Sequence, residues 1–320
     1  MTHPRIAVLC GGVGAARLLR ALIRVVDPTT VSAIVNVADD IVLHGLSVSP
    51  DLDTVTYTLA DAIDPDRGWG LYGETWRAME SISRYGDGTS DWFSLGDQDL
   101  ATHMYRSGRL ALGASLTEVT AEIATAWDVG VHVLPVTNDR VSTWVTLADS
   151  GTEIPFQEYF VGHRHSVAIS AVRFDGIAAA RISADCAAAI ADAEIIIVAP
   201  SNPIVSIAPV ISIPGVVEAL DASPAPVVAV SPIIAGAALK GPAASMLHQL
   251  GHEPSVVGVA RLWRDIADIL LIDETDASAA GEVASQGLVP FVTDTIMATP
   301  QRGERLARAI LSASRLVSNS

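Results

Sequence analysis

The chain has 320 residues, 36 acidic against 20 basic, and a formal net charge of -16. Nucleic-acid binders usually carry the opposite balance, because phosphate neutralisation supplies much of their affinity, so no nucleic-acid partner is expected. Half of the residues are apolar but only 5% are aromatic, which leaves Ala, Val, Ile and Leu to build the core, as in helices packed on a buried parallel sheet.

An apolar run at 6–10 opens the chain and ends at Gly11-Gly12-Val13-Gly14. A helix over 15–26, with Leu18, Leu19, Leu22 and Ile23 on one face, leads to a second strand over 31–37. This is a βαβ unit with a right-handed crossover. Glycines between strand and helix let backbone N–H groups meet a phosphate at the helix N-terminus. Arg17 stands where the dinucleotide fingerprint has its third glycine, and no Lys-Ser/Thr pair completes a P-loop.

Asn36-Val37-Ala38-Asp39-Asp40 and Ser49-Pro50-Asp51-Leu52-Asp53-Thr54 place four carboxylates in loops at the carboxyl edge of the sheet. If the second segment is extended, Asp51 and Asp53 share a side. Any one aspartate would serve as a helix cap. Four in so short a stretch favour a Mg2+ site with room left for substrate phosphate.

Residues 61–180 read as an inserted α+β lobe between two parts of a core, 1–60 and 181–320. Trp69, Trp76, Trp92 and Trp127 lie there among helical patterns, one of them over 116–127. Ser94-Leu95-Gly96-Asp97 turns into a helix on which Asp99 and His103, four apart, share a face. Strands over 143–148 and 154–161 flank Asp149-Ser150-Gly151 as a hairpin. Arg140 and the run His163-Arg164-His165 read as solvated loop charges.

The last third returns to the first pattern, with strands over 195–199, 227–230, 256–259, 269–272 and 289–292 and helices over 241–250 and 302–316. The whole predicts an α/β fold, a Rossmann-like, doubly wound, mainly parallel sheet. Pro200-Ser201-Asn202-Pro203 and the turn from Ser231 and Pro232 to Gly236 follow strands, where ligands gather. Lys240, soon after, could offset an anionic ligand.

Cys10 and Cys186 are too few for a disulfide framework or a zinc site, and both are expected to pack in the interior. The N-terminus lacks a signal-peptide pattern. The most apolar tract, 195–217, is broken by Pro200, Pro203, Pro209 and Pro214, which excludes a continuous membrane span. A cytoplasmic protein is expected.

Six strings occur in order: GGVGAARLL at 11–19, NVADD at 36–40, GLSVSPDLDTVTYTLA at 45–60, SLGDQDLATH at 94–103, APSNPIVSIAPVISIPG at 199–215 and VAVSPIIAGAALKGPA at 228–243. Together they resemble the 2-phospho-lactate transferase family of coenzyme F-420 biosynthesis, over nearly the whole chain. The resemblance implies a homodimeric, Mg2+-dependent phosphotransferase. Its donor would be a guanosine diphosphate bearing lactate or enolpyruvate, released as GMP and handed over by an upstream guanylyltransferase. Its acceptor would be the hydroxyl of a deazaflavin alcohol, 7,8-didemethyl-8-hydroxy-5-deazariboflavin. Members of the actinobacterial type use the enolpyruvyl donor and make the dehydro coenzyme.

On this resemblance Asp39, Asp40, Asp51 and Asp53 include the metal ligands, with Asp40 and Asp53 also catalytic and Asp53 orienting or deprotonating the acceptor. Leu52, Asp53, Thr54, Leu95, Gly96 and His103 would lie near the deazaflavin. Gly11, Gly12, Val13, Gly14 and Ala15 would hold phosphate. Ser201, Asn202, Ser231, Pro232 and Gly236 would hold the guanosine, with Lys240 beside it. Two rivals differ in kind: a nucleotide-sugar-binding metabolic regulator with a similar glycine turn, and a nicotinamide-dependent dehydrogenase suggested by the βαβ opening alone. SPDLDT and LGDQDLATH favour the transferase, because they would set metal and acceptor side by side.

Overall fold

The structure is a computed structural model that describes residues 3–85, 92–238 and 241–317. The strands in chain order are β1 (Ile6–Cys10), β2 (Val31–Val35), β3 (Ile41–Leu43), β4 (Leu46–Val48), β5 (His132–Pro135), β6 (Ser142–Leu147) and β7 (Glu153–Pro155). There follow β8 (Ile169–Asp175), β9 (Ile195–Val198), β10 (Val227–Val230), β11 (Ile233–Ile234), β12 (Ala237–Ala238), β13 (Ile269–Ile272) and β14 (Val289–Val292). Seven of them form one sheet in the order β14-β13-β10-β9-β1-β2-β5, and every pairing in it is parallel. The doubly wound α/β expectation is met.

The reason is visible in the strands. IAVLC, IIIV, VVAV and ILLI are buried at every position, as a sheet covered on both faces requires. The edge strands β5 and β14 each contain a proline, Pro135 and Pro290, which an edge tolerates because one side of its ladder is unpaired. Helices α1 (Gly12–Leu22), α2 (Pro50–Leu59), α3 (Arg77–Ile82), α4 (Asp97–Ala111) and α5 (Leu116–Ala126) belong to the first half. In the second are α6 (Ala184–Ala191), α7 (Ala208–Ile211), α8 (Val216–Ala222), α9 (Ala243–Gln249), α10 (Val256–Trp263), α11 (Ala280–Ser285) and α12 (Pro300–Ala313).

Sheet order places the ligand crevice. From β1 the chain winds outward through β2 to β5, then returns to the other side of β1 and winds out through β9, β10, β13 and β14. The direction reverses between β1 and β9, and open α/β sheets bind ligands just beyond the carboxyl ends of strands at such a point. The glycine turn after β1 and the turn Pro200-Ser201-Asn202 after β9 meet there.

Three local expectations change. Residues 256–259 are helical, not a strand: Ser255 caps α10 by accepting the Gly258 N–H at 3.0 Å, and the helix is buried at every position from Val256 to Ala260 and again at Trp263. The second hairpin strand stops at Pro155, and the chain goes on into a π-helical turn, Glu158–Gly162. Segment 61–180 does not stand wholly outside the core, since it supplies β5 as well as the separate sheet β7-β6-β8. That smaller sheet has its own cluster of Val145, Ile154, Phe156, Tyr159 and Ile169, packed on Val205 and Met246. Both cysteines are buried and free. No single helix among the described residues is long and apolar enough to cross a membrane.

Candidate active site

Helix α1 begins at Gly12, whose φ of +72° lies in the left-handed region that glycine tolerates. A Cβ on Gly14 would fall 2.7 Å from the Pro200 carbonyl oxygen, and one on Gly11 would fall 2.7 Å from Asp51 Oδ2. These glycines are therefore what lets the β1 and β9 turns and the first turn of α2 close on one another. Val13 and Gly14 open the helix with N–H groups that have no acceptor within it. The Gly12 N–H is already engaged, donating to Asp51 Oδ1 at 2.8 Å.

Asp51 and Asp53 sit on a helix, not on an extended segment. Two residues on a helix are about 200° apart, so the two carboxylates point to different partners. Asp51 accepts from Gly12 and from Asn36 Nδ2 at 3.0 Å. Asn36, itself buried, is held in turn by the Ala38 N–H at 2.9 Å. Burial raises the Asp51 pKa to about 6, against the pull of those two hydrogen bonds.

Asp39 is pushed well above the usual carboxylate range, first by burial and then by the charge of Asp51, and its Oδ1 has no hydrogen-bond partner. Asp40 rises to about 8, again chiefly by burial, although Ser49 Oγ donates to its Oδ2 at 2.6 Å; its Oδ1 is also without a partner. Arg106 pulls Asp40 the other way, but burial outweighs it.

Asp53 is in the opposite condition. Arg106 grips it with both arms, Nη1 at 3.1 Å from Oδ2 and Nη2 on Oδ1, and the guanidinium is about 1% exposed. Arg106 Nη1 also lies 3.3 Å from His103 Nδ1. Arginine only donates, so Nδ1 is the acceptor in that contact, and Nε2 is the ring nitrogen turned the other way. That nitrogen faces Asp99 Oδ2 at 3.4 Å, while Asp99 Oδ1 accepts from the Tyr57 hydroxyl at 2.7 Å. Burial works to raise Asp99, but its contacts with His103 and Tyr57 outweigh it and hold the carboxyl low. Arg106 stays charged despite its burial because Asp53 faces it.

The four aspartates thus do not converge on one point. Among the described residues, the one group whose ligand atoms all lie within 4.8 Å of one another is Asp53, Asp99 and His103. Arg106 already pairs with one of its two carboxylates, Asp53.

A cavity of about 680 Å³ opens over the crevice. It unites Gly11–Gly14 and Asp39 with Asp51 and Asp53, then Thr54, Leu95 and His103, and finally Ser201, Asn202, Ser231 and Pro232. Some expected residues lie elsewhere. Leu52, a quarter-turn from its acidic neighbours, packs in the main core, as does Ala15. Asp40 lines a separate cavity of about 360 Å³ beyond Asp39. Gly236, with φ +77°, makes the turn of the β11–β12 ribbon and does not line the large cavity. Gly96 is the N-cap of α4, pressed against Glu74, whose carboxylate accepts the Gln98 and Asp99 N–H groups at 2.8 Å. Lys240 lies outside the described residues.

Residues not assigned to the site beforehand complete the walls. Arg106 and Tyr57 belong to the buried network. Arg67 lies between the rings of Trp69 and Trp76, at 5.3 and 4.9 Å, and lines the cavity together with Trp69. Phe156, Phe160 and His165 form another wall. Arg17, whose place in the glycine motif was noted, reaches the cavity from α1 and makes no ion pair among the described residues. One signal for Arg106 was available: Asp99, His103 and Arg106 fall at i, i+4 and i+7, a polar stripe on one helix face.

Fold and site together define a Rossmann-like α/β protein whose ligand cavity lies at the topological switch point, between an anion-receptive helix N-terminus and buried carboxylates. The family model described as 2-phospho-L-lactate transferase CofD matches residues 6–311, and the chain belongs to that family of transferases. The phosphoenolpyruvate transferase of Kitasatospora aureofaciens is 40% identical over 317 residues, covering 98% of each chain. That of Mycobacterium avium (strain 104) is 39% identical over 318 residues, 91% of this chain and 94% of its own. That of Streptomyces griseus is 40% identical over 302 residues, 92% and 95%. A crystal structure of a UPF0052-family protein from Bacillus halodurans superposes with a TM-score of 0.63 over 97% of this chain and 99% of its own, at 18% identity, which speaks to the fold alone.

Proposed function

We propose that the protein transfers a phosphoenolpyruvyl group from a guanosine-diphosphate-type donor to the hydroxyl of 7,8-didemethyl-8-hydroxy-5-deazariboflavin, releasing GMP and forming the dehydro form of coenzyme F-420-0. One observation carries the reading: a single cavity joins the N–H groups opening α1, the buried carboxylates of Asp39 and Asp51, and an apolar wall containing Val48, Phe93 and Leu95. Relatives named phosphoenolpyruvate transferase, aligned over almost the full chain, favour enolpyruvate over lactate as the acid.

The acceptor oxygen forms a bond to the phosphorus that bears the three-carbon acid, the bond from that phosphorus to the GMP oxygen breaks, and the hydroxyl proton leaves. Positioning and charge neutralisation dominate such transfers. Val13 and Gly14 N–H groups and Arg17 bind the anionic donor at the helix N-terminus. Asp53, with both oxygens in the fork of Arg106, keeps lone pairs that can orient the acceptor hydroxyl. His103 and Tyr57 fix the remaining polar wall.

The residues fit Mg2+. Asp39 offers a buried oxygen without a partner, Asp51 stands beside it, and both line the cavity with hard oxygen donors. When bound, the ion would neutralise donor phosphate charge and polarise the phosphorus. As part of this reading we take the protein to be a homodimer, which light scattering checks, supplied with its unstable donor by a guanylyltransferase.

The test combines purified protein, Mg2+, the deazaflavin alcohol and freshly generated donor of each kind, read by mass spectrometry. Expected are GMP and a phosphoenolpyruvyl adduct. No adduct from either donor would sink the reading.

A further inference from the structure

The segment after β7, where a strand was expected, builds a feature that the reaction above does not use. In the turn Glu158–Gly162 the His163 N–H reaches the Glu158 carbonyl at 2.9 Å and the His165 N–H reaches that of Tyr159 at 3.0 Å. Such π-turns are rare and frequent at functional sites. The turn ends in two consecutive left-handed residues, Arg164 at φ 50° and His165 at φ 43°, a conformation that non-glycine residues adopt only when the surroundings hold them there.

The result is a column of three rings. Phe156 and Phe160 stack with centroids 5.4 Å apart and planes 26° apart; Phe160 and His165 follow at 5.5 Å and 27°. Phe156 is buried at the root, packed with Tyr159 on Val205 and Met246. His165 is the exposed end, and all three rings line the 680 Å³ cavity. Val205 belongs to a second π-turn, Pro203–Ile207, which begins just after Asn202. The column therefore stands over the strand-end turns that follow β9.

We propose that Phe160 and His165 form a stacking plate for the planar base of the nucleotide donor. The inference rests on the donor being a guanosine nucleotide, as proposed above. A fused heteroaromatic ring would extend the column by one layer beyond the imidazole. Ring-on-ring contact holds a base flat whatever its edges carry, so the plate sets position while neighbouring polar groups at Ser201 and Asn202 read the edge. A solvated charged loop would have no use for two left-handed residues that align an imidazole with two phenyl rings.

GDP with Mg2+ is titrated by calorimetry into the wild-type protein, His165→Phe, His165→Leu and Phe160→Leu, and quenching of deazaflavin fluorescence is followed in each. The exposed His165 can be changed without disturbing the core, so folding does not confound the comparison. Leucine keeps an apolar cover but removes the flat face, and phenylalanine restores it. Expected is a dissociation constant for GDP raised about tenfold in both leucine variants, near wild type in His165→Phe, with deazaflavin binding unchanged. Unchanged GDP binding in His165→Leu overturns the plate, and so does a loss confined to the deazaflavin. If the wild-type protein binds neither ligand, the transfer reaction itself fails and the plate with it, an outcome distinct from one confined to the variants.

Discussion

Asp53 and Arg106, from helices α2 and α4, form a two-armed ion pair that is almost wholly removed from solvent. Breaking a buried pair by removing one partner is far more costly than replacing both, because a lone charge is left in the interior. Asp53→Ala should therefore destabilise the protein by about 3–5 kcal/mol and abolish transfer. Asp53→Ala combined with Arg106→Met should recover most of the stability but none of the activity. Denaturant melts alongside turnover separate the two effects. An active double variant would remove Asp53 from the chemistry and leave it a structural role.

The buried carboxylates without an arginine partner make a different prediction, about pH. Asp40, raised to about 8, and Asp51, raised to about 6, both chiefly by burial, have folded-state values above the roughly 3.9 of a free aspartate. The folded chain then holds protons that the unfolded chain has released. Their contribution to stability is fully present below about pH 4 and is lost as pH rises through about 6 and about 8. Carboxyls held low, such as Asp99, act only at more acid pH. The metal-free protein should melt at a lower temperature at pH 8 than at pH 6. Because a bound cation replaces those protons, Mg2+ should raise the melting temperature more at pH 8. Asp39→Asn should flatten the slope, stabilise the metal-free protein and remove most of the response to Mg2+. A melting curve indifferent to both pH and Mg2+ would show that this corner is not a cation site.

How far the sequence reached depended on the range of the interaction. The parallel sheet was legible because its strands are fully buried and so are unbroken apolar runs. Val256 to Val259 broke that rule: their unbroken apolar run suggests a strand, but the Ser255 cap starts a helix there. Asp51 and Asp53 stood out in the sequence as a pair, but their opposed directions did not, since their facing depends on whether Pro50 starts a helix. The Asp53–Arg106 pair spans 53 residues, and local spacing shows only that Arg106 shares a helix face with Asp99 and His103, not that it meets Asp53. The ring column was missed because His163-Arg164-His165 resembles an ordinary charged loop, and only the π-turn and two left-handed residues bring the last of these rings against Phe160.

Arg17 departs from the dinucleotide glycine fingerprint and has no acidic partner among the described residues, in a chain of formal charge -16. Its Cβ tilts toward the helix N-terminus, as on any helix, so its long side chain extends toward the turn that opens with Val13. Arg17→Ala should raise KM for the donor about tenfold, in keeping with one lost charge-assisted contact, and leave KM for the deazaflavin unchanged. As an exposed residue it should change stability by no more than about 0.5 kcal/mol. Arg17→Lys should recover part of the loss, as a point charge without the guanidinium fork. Equal donor KM in all three proteins would free Arg17 from donor binding.

Gly14 tests the switch point itself. A methyl group there would sit 2.7 Å from the Pro200 carbonyl oxygen, and that oxygen belongs to backbone rather than to a flexible side chain. Gly14→Ala must therefore push the turn after β9 away from the start of α1, at a cost of about 1–3 kcal/mol in stability. The same displacement parts the Val13 and Gly14 N–H groups from Ser201 and Asn202 across the cavity, so GDP binding and turnover should fall together by at least tenfold. Gly113→Ala provides the contrast. Nothing lies within 4 Å of its added methyl, although its φ of +92° strains the backbone, so it should lower stability while sparing GDP affinity. If Gly14→Ala loses stability yet binds GDP as tightly as the wild-type protein, the nucleotide does not lie between the β1 and β9 turns, and the donor must be placed in another part of the cavity.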